Sequence, residues 1–435
     1  MMGAMGNFDV LPDSVACLIL SKLKNAQMVA QCAMVCHRWK MLSQLVDTLA
    51  FESFKLFEKK VDKNSKASCL EAIVTHMLLN TSGIRNLKIS YHPVVWPWIP
   101  NDYFCEEKVC NWLRHVNMSL EQLTLVDPNR AKPQPEKLLR LSECKKLQWL
   151  NLCYGMIPEV PSSCQRFEQL RTLYLDLIAI SDESLATLVD LSPLLEDLKV
   201  NSCKGLHSPN LSALNLASLE FANNLDVSTA MIHSVSVNAP KLVKVSLSHV
   251  EKLVIDGSAL LELDLLCHVR ADIRELPALT NLNIGGESWA LDSLTHLIRL
   301  ATNLCCLHVD AVIDWKYPVQ IQSILHHLLE LHSMHIGADF FECLQAGVGT
   351  GPLGISTMSL PRLASLSVVV GCGSHSCILV LSTLLKCAPM LHTLTIDAED
   401  LRKSMDNITF FTDILGLQRD HPHVKVTLVC PNSLV

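Results

Sequence analysis

The stretch Leu195-Glu-Asp-Leu198-Lys-Val200-Asn-Ser-Cys203-Lys-Gly-Leu206 has apolar residues at its first, fourth and sixth positions, then a polar turn with one cysteine, then another leucine. Residues 198 and 200 are two apart, which sets both side chains on one face of a short strand. The same apolar-x-x-apolar-x-apolar unit recurs upstream at Ile84/Leu87/Ile89, Leu120/Leu123/Leu125, Leu147/Leu150/Leu152 and Leu170/Leu173/Leu175. Downstream it returns at Leu216/Leu219/Phe221, Leu242/Val245/Leu247, Leu260/Leu263/Leu265, Leu279/Leu282/Ile284 and Leu304/Leu307/Val309. Three further copies are Leu331/Met334/Ile336, Leu363/Leu366/Val368 and Leu391/Leu394/Ile396, and a looser one lies around Val424-Lys-Val426-Thr-Leu428.

The units start mostly roughly 18 to 32 residues apart, the period of leucine-rich repeats. Helices fit between many of the strands. Ile180-Ser-Asp-Glu-Ser-Leu185-Ala-Thr-Leu188-Val189 offers Ser181 as N-cap, two acids in the first turn, and an apolar face at 185, 188 and 189. The units beginning at 242 and 260 have room only for short 3₁₀ or extended segments. Residues 91–119, with Trp96-Pro-Trp98, and 337–361, rich in glycine, read as irregular insertions. Period-two strands alternating with period-3.6 helices, each too small to fold alone, make a solenoid. The expected fold is an α/β leucine-rich-repeat solenoid, curved into a horseshoe, over residues 84–430 with about thirteen or fourteen irregular repeats.

In such a unit the first, fourth and sixth positions face the core, and the third, fifth and seventh line the concave sheet. Those positions hold Trp149, Tyr174, Asp176, Asp197, Glu262, Asp264 and Asp310, which are the candidate target-binding residues. Glu220 and Asp397 add acids, against Lys88, Lys199 and Lys244 as bases. A net acidic, polar face predicts a target with a basic or neutral hydrogen-bonding patch. It lacks the converging Arg or Lys that an inositol phosphate would need.

Ahead of the repeats, Leu11-Pro-Asp-Ser-Val15-Ala-Cys-Leu18-Ile19-Leu-Ser-Lys-Leu23 places apolar residues at 15, 18, 19 and 23, an amphipathic helical stripe that Asp13 or Ser14 can cap. A second short helix carries Met28, Val29, Cys32, Ala33 and Val35 and runs into Cys36-His-Arg-Trp39-Lys-Met-Leu42. Three short helices bury little surface alone, so a partner is expected to complete the module. Leu11-Pro12, Leu18 to Leu23 and Val35-Cys36-His-Arg-Trp39 resemble the F-box family, over residues 8–50. The link between the first two helices departs from the family pattern, lacking the usual Pro or Asp. Residues 51–83 read as a helical connector.

The resemblance implies an all-α three-helix F-box that binds a Skp1-type adaptor, and through it a cullin ligase core, with Leu11, Pro12, Ile19, Leu23, Val35 and Trp39 as docking residues. It further implies a non-catalytic specificity subunit of an SCF-type ubiquitin ligase, holding a target protein on the repeats. The alternatives are an interaction scaffold outside any ligase and, third, a ligase with its own catalytic cysteine.

Composition bounds the rest. Apolar residues make up 49% of the 435 and charged residues 18%, which excludes a disordered chain. Mean hydropathy is +0.27, yet no run approaches the roughly 20 apolar residues of a membrane span. The start has no basic n-region or apolar stretch, so no secretory leader is expected, and Gly3 after two methionines does not fit N-myristoylation. The 18 cysteines fall largely inside apolar patterns, as reduced thiols of a cytoplasmic or nuclear protein would. A net charge of −7 without long basic runs argues against nucleic acid or a membrane as partner. Cys372, His375 and Cys377 lack the second paired cluster of a structural zinc site. No phosphate-binding glycine loop, paired-acid site or serine elbow is present, so neither cofactor, metal nor catalysis is expected.

Overall fold

A computed structural model of the chain describes residues 11–52, 66–91, 103–127, 135–157, 159–222, 231–267, 269–314, 327–348, 359–371, 375–398 and 407–429. The chain divides into two compact units, Met1–Leu216 with Asn223–Ala230, and Ala217–Ala222 with Met231–Val435. Trp96, Trp98 and Cys372 lie outside the described residues.

The first unit opens with α1 (Asp13–Leu23), α2 (Ala26–Ala33) and α3 (His37–Ser43). Neither Asp13 nor Ser14 caps α1. Pro12 holds the cap position, and its carbonyl accepts the Val15 and Ala16 N–H groups, both at 3.0 Å. The Asp13 carboxylate is taken instead by the Arg38 guanidinium, at 2.7 and 2.9 Å, and the same guanidinium donates to the Leu11 carbonyl. These bonds hold the Leu-Pro segment against α3. Asn25 caps α2, its side-chain oxygen accepting from Gln27 N at 2.8 Å and Met28 N at 3.4 Å.

The six main strands of this unit are β1 (Thr48–Glu52), β2 (Asn86–Ser90), β3 (Gln122–Val126), β4 (Trp149–Ile157), β5 (Thr172–Ile180) and β6 (Asp197–Asn201), all parallel and paired in that order. Register aligns the core positions into two ladders, Leu49-Leu87-Leu123-Leu150-Leu173-Leu198 and Phe51-Ile89-Leu125-Leu152-Leu175-Val200. No member of either ladder is more than 4% exposed. Removing a leucine from such a stack costs about 2–5 kcal/mol, because rigid neighbours cannot close the gap.

The sheet starts earlier than the boundaries at 50 and 84 place it. Val46-Asp-Thr-Leu49-Ala-Phe51 is itself a repeat unit, and all three apolar members are fully buried. Of the expected connector, the described helix is α4 (Lys66–Leu79). It joins α5 (Glu106–Val116), α6 (Pro135–Ser142) and α7 (Asp182–Asp190) as the elements between strands. Trp112 Nε1 donates to Thr75 Oγ1 at 2.8 Å, tying α5 to α4. Ser181 caps α7 as expected, accepting from Ser184 N at 3.2 Å. A short strand, β7 (Asn210–Ser212), packs beside α7.

In the turn after β6, Cys203 is buried and its thiol donates to the Leu175 carbonyl at 3.6 Å. The turn then reverses through Gly205 at φ +90°, where a Cβ would sit 2.9 Å from the Ile180 carbonyl oxygen. That is why glycine stands there.

In the second unit, β8 (Ser218–Ala222), β10 (Lys244–Ser248), β12 (Glu262–Leu265), β14 (Asn281–Ala290), β15 (Cys306–Asp314), β16 (Ser333–Ile336), β17 (Ser365–Val369), β18 (Thr393–Asp397) and β19 (Lys425–Val429) form a parallel sheet in that order. The short repeats have no length for a helix. Those beginning at 242 and 260 return through β11 (Lys252–Ile255) and β13 (Arg270–Ile273), which pair in parallel with β9 (Val235–Asn238), from the repeat beginning at 216, as a second sheet. Longer repeats carry α8 (Leu291–Leu300), α9 (Ala338–Val348), α10 (His375–Cys387) and α11 (Asn407–Asp420). The ladders Leu219 to Leu394 and Phe221 to Ile396 are buried throughout, whereas Val426 and Leu428 on β19 are partly exposed, matching the looser final repeat. Each unit is thus leucine-rich-repeat solenoid, and the first carries a three-helix module at its start.

Candidate functional site

Two surfaces concentrate side chains that the fold does not consume. The first is the helical module. On α1 the inward stripe is Ala16 and Leu20, both buried, while Val15, Leu18 and Ile19 face solvent. The more apolar stripe of the helix, which amphipathic reasoning would turn inward, points out. Val29 and Ala26 anchor α2 and Leu42 anchors α3, leaving Met28 and Met41 exposed. Met34 and Val35, between α2 and α3, are 79% and 73% exposed. The module thus leaves seven large apolar side chains, Val15, Leu18, Ile19, Met28, Met34, Val35 and Met41, in solvent.

Of the six expected docking residues, Pro12, Ile19 and Val35 are exposed, and Leu11, Leu23 and Trp39 are half-buried. Val15, Leu18, Met28, Met34 and Met41 are exposed as well and were not among the docking residues expected from sequence.

The second surface is the concave row of each sheet. In the first unit, register aligns Trp149, Thr172 and Asp197 in one row across β4 to β6, Asn151, Tyr174 and Lys199 in a second, and Cys153, Asp176 and Asn201 in a third. The Trp149 and Tyr174 rings lie 6.1 Å apart, and the Lys199 ammonium sits 4.9 Å from the Tyr174 ring centre. Asp176 accepts from Asn201 at 2.7 Å and from the Cys153 thiol at 3.2 Å. Lys88 bridges to Glu52 at 3.0 Å. The Oδ1 atom of Asp197 is buried and makes no hydrogen bond among the described residues.

In the second unit, Glu262 is paired with Lys244 at 2.7 Å, so its charge is largely spent within the sheet. Asp264, one row along beside Asn283, has its carboxyl pushed up by burial, with Glu262 and Glu220 adding to that and Lys244 and an Asn283 hydrogen bond opposing it. Next in the same row, His308 and His335 stack with ring centres 4.1 Å apart and planes within 10°. Burial, then His308, lower the His335 pKa, with Asp310 and Asp397 opposing them. Asp310 is exposed beside them on β15.

Buried thiols are inert by environment. Burial drives Cys203 and Cys144 up to about 12 and Cys110 and Cys343 up to about 11. Among the described residues, no group of three or more His, Cys, Asp or Glu is arranged to hold a metal ion, and no helix is long and apolar enough to cross a membrane.

Comparison with known proteins matches both parts of the chain. Residues 8–46 match the F-box-like family model, and residues 109–262 match the leucine-rich repeats of the FBD-associated F-box protein At5g56370. The F-box protein At1g10780 of Arabidopsis thaliana is 26% identical over 309 residues, 68% of this chain and 68% of that protein. The F-box/LRR-repeat protein At1g67190 of the same plant is 28% identical over 196 residues, 45% of this chain and 43% of that one. Among solved structures, the Leptospira interrogans LRR protein LIC12759 is 13% identical and covers 88% of this chain and 95% of its own, with a TM-score of 0.34. The chain is an interaction protein of the repeat class. It joins an F-box-like module to leucine-rich repeats, the organisation of F-box/leucine-rich-repeat proteins.

Proposed function

We propose that the chain is the substrate-recognition subunit of an SCF-type ubiquitin ligase, working in the cytoplasm or nucleus. In this reading α1–α3 bind a Skp1-type adaptor and through it a cullin core, and the concave rows hold a target protein. The observation that carries it is the inverted first helix, with Val15, Leu18 and Ile19 outward and Ala16 and Leu20 inward. A free-standing module gains nothing from that arrangement, since burying each large apolar side chain contributes about 1.5–3 kcal/mol. A partner that covers them recovers the energy. The chain itself contributes proximity and specificity, and bond making belongs to its partners.

The target side rests on Trp149, Tyr174, Asp176, Asp197, Asp264 and Asp310. Glu262 contributes less than its charge suggests, because Lys244 neutralises it. Two measurements test the proposal. The full chain should coprecipitate a Skp1-type adaptor, and lose it when outward residues of α1–α3 are made acidic. Point variants serve better than a truncation before Phe51, which would cut β1. Proximity labelling should recover proteins that accumulate only under proteasome inhibition. A folded chain that captures no adaptor removes the ligase assignment.

A further inference from the structure

Between α1 and the first four strands lies a cleft of about 480 Å³, lined among others by Lys22, Lys24, Asn86, Lys88, Gln122 and Trp149. From these groups we infer that the cleft is a docking pocket for an acidic peptide segment of a target, a proposal that rests on the chain being a target-capturing subunit.

Its volume falls within the range of ligand sites, about 300–1,000 Å³. Its charge is opposite to that of the rest of the face. Lys88 is committed to Glu52 at 3.0 Å, and Asp47 also lines the cleft, where its carboxylate accepts the Thr48 hydroxyl at 3.0 Å. Lys22 and Lys24 have no carboxylate partner among the described residues, so positive charge remains in surplus on a chain whose net charge is −7. The α1 terminus brings both lysines there. Lys24 turns at φ 57° so that its carbonyl can accept the Ala50 N–H at 2.6 Å, which seats the end of the helix over the edge of the sheet.

The geometry fits a segment of chain better than a compact anion. The lining is spread over β1 to β4, a width of about 14 Å at the usual strand spacing. Its lysines are exposed point charges, not a converging, dehydrated cluster. Trp149 forms the far wall, and its ring continues into Tyr174. A segment with several acidic residues followed by an aromatic one meets the lysines, the amides of Asn86 and Gln122, and the aromatic pair in turn.

The test uses the full chain and a fluorescein-labelled Glu-Glu-Asp-Glu-Phe peptide, followed by anisotropy at constant ionic strength. The Lys22→Glu/Lys24→Glu double variant should weaken binding about tenfold or more, the scale for reversing two charges at a contact. Thr124→Trp, which fills the cleft and leaves every charge in place, should do the same. Lys145→Glu/Lys146→Glu, an equal charge change at exposed positions outside the lining, should stay within about twofold. Absence of binding by the parent chain overturns the inference, as does equal weakening by the control pair. Displacement of the peptide by inorganic phosphate, but not by chloride at matched ionic strength, overturns it in favour of a small-anion site. Leu18 of the adaptor stripe also lines the cleft, so adaptor coprecipitation is read on the parent chain and on Thr124→Trp, a change on β3 that leaves α1 intact, and failure of the ligase reading and failure of the cleft are told apart.

Discussion

Consider the double substitution Val35→Asp with Ile19→Asp. Val35 leaves 73% of its surface in water and Ile19 leaves 38%. Full burial of a Val or Ile side chain contributes about 1.5–3 kcal/mol, so covering the exposed part of Val35 is worth about 1–2 kcal/mol and that of Ile19 about 0.5–1 kcal/mol. Together they supply about 1.5–3 kcal/mol of adaptor affinity, which is roughly a 10- to 150-fold change in Kd. The new carboxylates, buried without partners, weaken it further. Val35→Asp alone should cost folding no more than about 0.5 kcal/mol, whereas Ile19→Asp, with most of its side chain already covered, should cost about 1–2 kcal/mol, so the single Val35→Asp variant serves as the folding control. Leu20→Ala is the opposite case: Leu20 is 0% exposed, and its loss should cost about 2–5 kcal/mol of stability. Titration calorimetry with a purified Skp1-type adaptor, beside thermal melts of each variant, separates the two. If the acidic double variant binds as tightly as the parent, or loses affinity only in step with its melting temperature, the outward stripe is not a docking face.

Four further outcomes are expected. Asn25→Ala removes the cap that accepts the Gln27 and Met28 amides and should lower stability by about 1 kcal/mol in denaturant unfolding, whereas Asn25→Asp should preserve it. The thiols of Cys203 and Cys144 sit near 12 in the folded chain against an ordinary value of 9.0, so folded protein holds those protons more tightly; the stability this confers is complete below pH 9 and drains away as pH rises towards 12. Melts at pH 8 and pH 10 should show that loss, reduced in a Cys203→Ala variant measured against itself. His335 has the reverse sense: its pKa is lowered, so stability present above about pH 6.5 is lost as pH falls through the folded value, and His308→Asn should raise the His335 titration midpoint seen by NMR. Charge reversal of Asp197, Glu262 and Asp264 together should remove the proteins that accumulate under proteasome inhibition, and unchanged recovery would take those acids out of target capture.

The solenoid was legible because its core positions are set by period alone. The apolar residues at the first, fourth and sixth places of each unit, from Ile84 to Ile396, are all buried, and the short repeats at 242 and 260 pair as extended segments where length forbids a helix. The repeat Val46-Asp-Thr-Leu49-Ala-Phe51 escaped notice because the short turn that ends the third helix, Gln44-Leu45, carries no Gly or Pro to announce a strand. The helical module was legible as three short helices, but not the rotation of the first. Periodicity finds an apolar stripe and cannot say which of two neighbouring stripes is inward when small alanines line one of them, as Ala16 does here. The expected cap failed for a similar reason. Asp13 can serve either its own helix end or a distant cation, and only the fold brings Arg38 within reach. The polarity of the concave rows was legible residue by residue, but not the pairing of Glu262 with Lys244, because neighbours across a parallel sheet are set by register.

The Lys24 carbonyl and the Asn25–Ala50 bridge make the loop between α1 and α2 an added rung alongside β1. The helices are therefore not hung on a tether. Whatever grips them takes hold of the first strands as well, and no slack separates the two. A cargo seated on those strands would be presented at one fixed bearing, so which of its lysines came within range would be a matter of steric aim and not of diffusion on a leash. Lengthening that loop by a few residues would then alter where a cargo is modified before it altered how tightly it is held.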